Sequence, residues 1–121
     1  MCGINGIVHF NGDPVSERDV VRMNEKTHHR GPDDTGVYVS GNVGLGHNRL
    51  SVIDLSSEGH QPMVYTHGGR SVVLTFNGEI YNYQEIRKNL VAKGYAFRSQ
   101  ADTEVIAAAY LAYGPACVTH F

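Results

Sequence analysis

Three segments with the 3.6-residue period of an α-helix fall irregularly among short strand-like runs, and that order constrains this chain more than any other feature. A strand over 3–10 begins almost at the first residue and runs into the turn Asn11-Gly12-Asp13-Pro14. Ser16 and Asp19 have capping-box spacing, after which Val20, Met23 and Thr27 share one helical face up to a stop near His28. Pro32 keeps the polar stretch 29–34 out of helix. Two short strands follow over 36–39 and 43–46, joined by Ser40-Gly41-Asn42; 49–54 is short and partly apolar, and 56–62 is loop. The clearest strand covers 71–76, where Val72, Val73 and Leu74 suggest burial on both faces. Asn82, with Glu85 three residues on, is spaced to cap a helix whose Ile86, Leu90 and Val91 form an apolar stripe and which Gly94 ends. Phe97 falls in a short edge strand. Asp102 or Thr103 caps a last helix, with Val105, Ile106, Ala109 and Tyr113 facing inward and Gly114-Pro115 as its stop. Residues 116–121 turn apolar again, as at the start of a further strand. This order predicts an α+β fold with antiparallel pairing rather than a regular βαβ repeat.

The 121 residues suffice for one domain, read here as a single domain over 1–121. Ten basic and twelve acidic side chains leave a formal charge of -2, which argues against a basic nucleic-acid face and against a polybasic membrane anchor. With 41% hydrophobic residues the chain can fill a core, yet no apolar run approaches the ~18 residues needed to span a bilayer. The first residues lack the basic region of a secretory signal, so a cytoplasmic location is expected. Only two cysteines occur, Cys2 and Cys117, outside any disulfide or C-x-x-C pattern. None of the seven histidines forms the i, i+4 pair of a zinc helix or neighbours a cysteine pair, so no metal site is expected.

The chemistry begins at Cys2. Removal of Met1, favoured when a small residue follows, would place a thiol and an α-amine on one residue. A free α-amine ordinarily titrates near roughly 7.7–8 and a thiol near ~8.5, so such an amine takes a thiol proton near neutral pH without a histidine partner. Taken alone, an ordinary thiol is the simpler reading. Asn77-Gly78 is equally a hairpin signal or an oxyanion hole built from the Asn77 amide and the Gly78 N–H, where one donor is typically worth roughly 2.7–4 kcal/mol of barrier. Arg49 is either a snorkelling surface arginine or a bidentate clamp on a carboxylate. Asp102 is either a helix cap or a partner for a substrate ammonium; Glu79 could share that role or be a plain solvated carboxylate. Together, nucleophile, oxyanion hole, cation and acids describe a site for an amino acid with a side-chain carbonyl, and glutamine fits.

Met1-Cys2-Gly3-Ile4, HRGPDD at 29–34, GHNRLSVIDLS at 46–56, HQPM at 60–63, FNGEIYNY at 76–83 and DTEV at 102–105 span nearly the whole chain. Jointly they resemble a class II glutamine amidotransferase domain, and within that class the glutaminase half of glutamine-hydrolysing asparagine synthetases. The resemblance implies an N-terminal-nucleophile hydrolase fold, an αββα sandwich of two antiparallel sheets between helical layers. It implies Cys2 as nucleophile with its own amine as base, and Asn77 and Gly78 as the oxyanion hole. Arg49 would bind the glutamine α-carboxylate, Glu79 and Asp102 the α-ammonium, and backbone groups near Leu50 and Val52 would complete the pocket. No cofactor is implied in this domain. ATP and Mg are implied for a C-terminal synthetase domain, to which ammonia passes to amidate an acyl-adenylate. Delivery of ammonia to another carboxylate, such as a uronic-acid sugar, and a non-catalytic glutamine-binding or self-associating fragment are the alternative readings.

Three departures from the family pattern carry expectations of their own. The sequence stops at Phe121 where such proteins continue with another sheet strand, so an incomplete sandwich lacking the synthetase domain is expected, with exposed edges that favour a homo-oligomer. Ala101 stands where the family usually has serine, which would loosen the Asp102 loop. With Met1 attached, the Cys2 amine is locked in a peptide and the chain would be a precursor or an inactive form.

Overall fold

The computed structural model describes all residues, Met1–Phe121. The elements run β1 (Gly3–Val8), α1 (Glu17–Thr27), β2 (Asp34–Ser40), β3 (Val43–Arg49), β4 (Met63–His67), β5 (Arg70–Leu74), α2 (Tyr83–Ala92) and α3 (Asp102–Tyr113), with short 3₁₀ turns at His28–Arg30, Ser57–Gly59 and Gly114–His120. The architecture is α+β, and every strand pairing is antiparallel. Two compact units emerge: Met1–Val52 with His60–Pro62 and Thr75–Gly78, and Ile53–Gly59 with Met63–Leu74 and Glu79–Phe121. No helix is long and apolar enough to cross a membrane.

The first unit is a three-stranded sheet in the order β1-β3-β2, with α1 laid on one face. Strand alternation sends Gly44, Gly46 and Asn48 of β3 toward the helix. A Cβ on Gly44 would lie 2.7 Å from Val15 and Val20, and one on Gly46 would strike the Asn24 side chain. The missing side chains therefore set how closely α1 can approach. A polar key holds it there. Asn48 Nδ2 donates to the Asn24 carbonyl (2.7 Å) and to Thr27 Oγ1 (2.8 Å), Thr35 Oγ1 donates to Asn48 Oδ1 (2.7 Å), Asn24 Nδ2 donates to the Gly36 carbonyl (2.9 Å), and Asn5 donates to Asn24 Oδ1. Buried amides without partners would each cost about 1–3 kcal/mol; here Asn24 and Asn48 are satisfied.

The second unit packs α2 and α3 with the β4-β5 hairpin. Its core gathers Tyr65, Ile86, Leu90, Val105, Ala107, Ala108, Ala109, Leu111 and Cys117. Leu90 and Val105 are fully buried, each worth about 1.5–3 kcal/mol relative to exposure. The end of α2 is a Schellman motif: Tyr95 N–H bonds the Leu90 carbonyl (3.1 Å) and Gly94 N–H that of Val91 (3.0 Å), with Gly94 at φ +95°.

Several expectations are corrected. Ser16 and Asn82 do precede α1 and α2, but neither side chain bonds its helix; the Asn82 amide donates instead to the His120 carbonyl at 2.8 Å. Strand β4 falls between the loop at 56–62 and the strand at 71–76, where no strand is expected; Met63 and Tyr65 alternate inward ahead of the Gly68-Gly69 turn. Strand β5 is only half-buried, because in a two-stranded sheet its Val-Val-Leu run has helices on one face alone. Phe97 lies in no strand; its ring packs against the core beneath the Arg87 guanidinium, 4.7 Å away. Ala101, not Asp102 or Thr103, occupies the cap position of α3. Residues 116–120 continue a 3₁₀ turn and Phe121 follows it, so no strand starts here.

Candidate functional site

Cys2 sits half-buried at the start of β1 in the first unit. Leu50 N–H donates to its sulfur at 3.3 Å, and the Leu50 carbonyl lies 3.7 Å from the same atom. Arg30 Nε donates to the Cys2 carbonyl at 3.1 Å, a contact the sequence reading assigned to nothing beyond a polar loop. Gly3 is pressed so closely to Thr27 that a Cβ there would come within 2.9 Å of the Thr27 Cβ, which ties the start of the strand to the last turn of α1.

Arg49 closes β3 and is buried. Its carbonyl accepts Asp33 N–H (3.0 Å), while Asp33 Oδ2 accepts Ser51 N–H (2.8 Å), so Asp33 brackets the Arg49-Leu50-Ser51 turn from both sides. Leu50 and Val52, expected to offer backbone groups, are exposed. The first unit thus gathers Cys2 with Leu50 and fixes Arg49 beside them in sequence.

Asn77 and Gly78, which come after β5 in sequence, belong to the first unit, Asn77 half-buried and Gly78 exposed. A Cβ on Gly78 would lie 2.7 Å from the outer end of the Phe76 ring, which would have to shift to admit it. The peptide before Asn77 is gripped by two side chains. His47 Nε2 lies 3.2 Å from the Phe76 carbonyl; since a carbonyl only accepts, Nε2 carries the proton. Gln61 Oε1 accepts Phe76 N–H at 2.7 Å.

His47 is fully buried, and its Nδ1 has no hydrogen-bond partner. Burial pushes its pKa down; the Phe76 hydrogen bond and Asp34 oppose this, while Arg49 and His60 add to it. The unfolded chain therefore protonates here more readily than the folded one, and folding loses stability as pH falls below about 6.5, with the full contribution present above it. His47→Gln keeps a side-chain N–H but cannot titrate. Denaturant titrations at a series of pH values should show a shallower acid loss in this variant than in the wild type; identical slopes would contradict a buried neutral imidazole.

Glu79 and Asp102 belong to the second unit. Glu79 is exposed. Asp102, the first residue of α3, is buried, and its Oδ2 accepts Ile80 N–H at 2.8 Å, holding the residue next to Glu79. The loop before Asp102 is gripped by groups the sequence reading passed over. Buried Glu104 accepts Arg98 N–H (2.9 Å), Ser99 N–H (2.8 Å) and the Ser99 hydroxyl (2.7 Å); Asp54 accepts Gln100 N–H (2.9 Å), and Ser99 Oγ accepts Ala101 N–H (3.2 Å). Four consecutive N–H groups are held, so the alanine at 101 does not leave the loop unsupported. Capping-box spacing from Ala101 to Glu104 was the available signal, masked because the cap residue is not Ser or Thr.

No group of three or more His, Cys, Asp or Glu side chains is placed to hold a metal ion.

A family model described as a glutamine amidotransferase domain matches residues 1–121. Among curated proteins, the chain is 40% identical to asparagine synthetase [glutamine-hydrolyzing] 3 of Bacillus subtilis, covering 99% of this chain and 20% of that protein. It is 38% identical to putative asparagine synthetase [glutamine-hydrolyzing] 2 of Methanocaldococcus jannaschii, covering 100% and 26%. It is 43% identical to asparagine synthetase [glutamine-hydrolyzing] 1 of Arabidopsis thaliana, covering 94% and 19%. The chain therefore spans roughly a fifth to a quarter of the length of these relatives.

Proposed function

We propose, from the premise that this chain belongs to the glutamine amidotransferase domain family, that it hydrolyses glutamine to glutamate and ammonia with Cys2 as the nucleophile. The observation that carries this reading is the Leu50 N–H aimed at the Cys2 sulfur from 3.3 Å, at the turn that also bears Arg49.

Once Met1 is removed, the α-amine of Cys2 takes the thiol proton, directly or through one water. The sulfur then attacks the glutamine side-chain carbonyl carbon, and the developing oxyanion is received by the Asn77 amide and the Gly78 N–H. The tetrahedral intermediate collapses, the ammonium returns its proton to the leaving nitrogen, and ammonia departs from a thioester. Water adds to that thioester, the amine taking its proton, and glutamate leaves with the thiol restored. Arg49 clamps the α-carboxylate, and backbone at Leu50 and Val52 lines the pocket. These steps need no cofactor.

The fold belongs in the same reading: an αββα N-terminal-nucleophile hydrolase, supported by two antiparallel sheets that each carry helices on one face. The relatives' names, glutamine-hydrolysing asparagine synthetases, support use of the ammonia in making asparagine; that step is assigned here to an ATP- and Mg-dependent synthetase domain C-terminal to this one. Residues 1–121 act there as one glutaminase domain, in a cytoplasm that keeps thiols reduced. The half-exposed Ile4 and Val8 on the edge strand β1 support self-association.

The test separates molecules by N-terminal state. Intact mass resolves chains with and without Met1, and glutamate release should track the fraction that begins at Cys2. Equal turnover by chains retaining Met1 would overturn the amine as base. Arg49→Lys replaces a two-pronged donor with a point charge, so KM for glutamine should rise at least about tenfold, the scale of one charge-assisted hydrogen bond. An unchanged KM would remove Arg49 from the carboxylate.

A further inference from the structure

The backbone that leads into Asn77 has both of its polar groups held by buried side chains from distant parts of the sequence. His47, from the middle of β3, donates Nε2–H to the Phe76 carbonyl at 3.2 Å. Gln61, from the loop ahead of β4, accepts Phe76 N–H at 2.7 Å. Both side chains are buried, at 0% and 6% exposure, while Phe76 itself is half-buried. Thr75 Oγ1 adds a long bond to the Gly46 carbonyl (3.4 Å), and the Phe76 ring lies against Gly78. A loop tip that bears only Asn77 and an exposed glycine has no regular structure to position it; strand β5 ends at Leu74.

We propose that His47 and Gln61 are positioning residues for glutamine hydrolysis: they clamp the Phe76 peptide and so fix where the Asn77 amide and the Gly78 N–H point. This rests on the reading of Asn77 and Gly78 as the oxyanion hole. Oxyanion donors act only within a few tenths of an ångström of where charge develops, and a misplacement of about 1 Å by a remote substitution can cost on the order of a hundredfold. Both clamps hold the peptide that leads into the oxyanion donors, so their loss should fall mainly on kcat and leave KM nearly unchanged.

The experiment compares His47→Leu, His47→Gln and Gln61→Met in the protein freed of Met1, following glutamate release across glutamine concentrations. A glutamine side-chain nitrogen stands about where histidine Nε2 does, so His47→Gln retains a donor for the Phe76 carbonyl. Gln61→Met keeps the shape and removes the acceptor. His47→Leu and Gln61→Met should each lower kcat by roughly tenfold to a hundredfold with KM within about twofold, and His47→Gln should recover most of the loss at position 47. The double variant should lose less than the product of the single losses, because both side chains grip one peptide group. Equal kcat for His47→Leu and His47→Gln, or a rise in KM with kcat unchanged, would overturn the positioning role. If His47→Leu fails to fold, Gln61→Met carries the kcat test by itself. A wild-type protein that releases no glutamate, or an Asn77→Ala variant as active as wild type, would instead strike at the glutaminase reading beneath it.

Discussion

Cys2→Ala should reduce glutamate release to background, a loss on the order of 10⁴-fold or more, because no other group in the proposed reaction forms the thioester. In a full-length protein with a synthetase domain, amidation driven by added ammonia should survive the same substitution. That contrast separates loss of the nucleophile from loss of the fold, since an unfolded domain would impair both. Cys2→Ser adds a second control: it preserves shape and the Leu50 contact but offers a far weaker nucleophile at neutral pH. Retained glutaminase activity in Cys2→Ala would return residue 2 to the status of an ordinary thiol.

The largest structural effect is expected at a position with no chemistry. Gly36 lies in β2 opposite His47 of β3, and a Cβ there would run into the Gln61 carbonyl and come within 2.8 Å of the His60 ring. The obstacle is backbone, so no rotamer change relieves it. His60–Pro62 would have to move, disturbing the 2.6 Å contact of His60 with Asp34 and the Gln61 bond to Phe76. Overpacking of this kind typically costs 1–3 kcal/mol, and we expect Gly36→Ala to lose about 3 kcal/mol or more. Gly6→Ala is the matched control. Its new Cβ would meet Leu45 Cδ2 at 3.5 Å and the Gly44 carbonyl oxygen at 3.7 Å, both ordinary contacts, and alanine in place of a strand glycine should be neutral or stabilising by up to roughly 1 kcal/mol. Urea midpoints for the two variants should move apart; equal midpoints would mean that the loop over Gly36 yields freely.

Much of this was legible in sequence because it depends on local pattern. The stripe of Ile86 and Leu90, the stop at Gly94 and the pairing of the strands around Gly41 follow from periodicity and turn chemistry, and the structure has them. The failures share a cause: they depend on what a residue meets across the fold. Asn82 and Asp102 look like helix caps by spacing, yet their side chains bond the His120 carbonyl and Ile80 N–H. The run at 72–74 reads as fully buried, but burial depends on which sheet faces are covered. At the candidate site, motif residues such as Cys2, Arg49 and Asn77 could be singled out from their chemistry. The groups that hold them could not. Arg30, His47 and Gln61 act through backbone atoms distant in sequence, and residue type alone says nothing about such partners; Glu104 grips N–H groups only five and six residues back, but the alanine at the cap position hides its spacing.

An end residue is covalently tethered from one direction only, and loose ends fray. If the methionine is cleaved, residue 2 inherits that handicap, with an entropic cost of roughly 1–2 kcal/mol to immobilise its backbone. The guanidinium on its carbonyl, the amide N–H on its sulfur and the glycine wedged beneath Thr27 act as substitutes for the absent covalent neighbour. None of them uses the residue's own nitrogen, so trimming the chain would expose a new terminus without dismantling what anchors it.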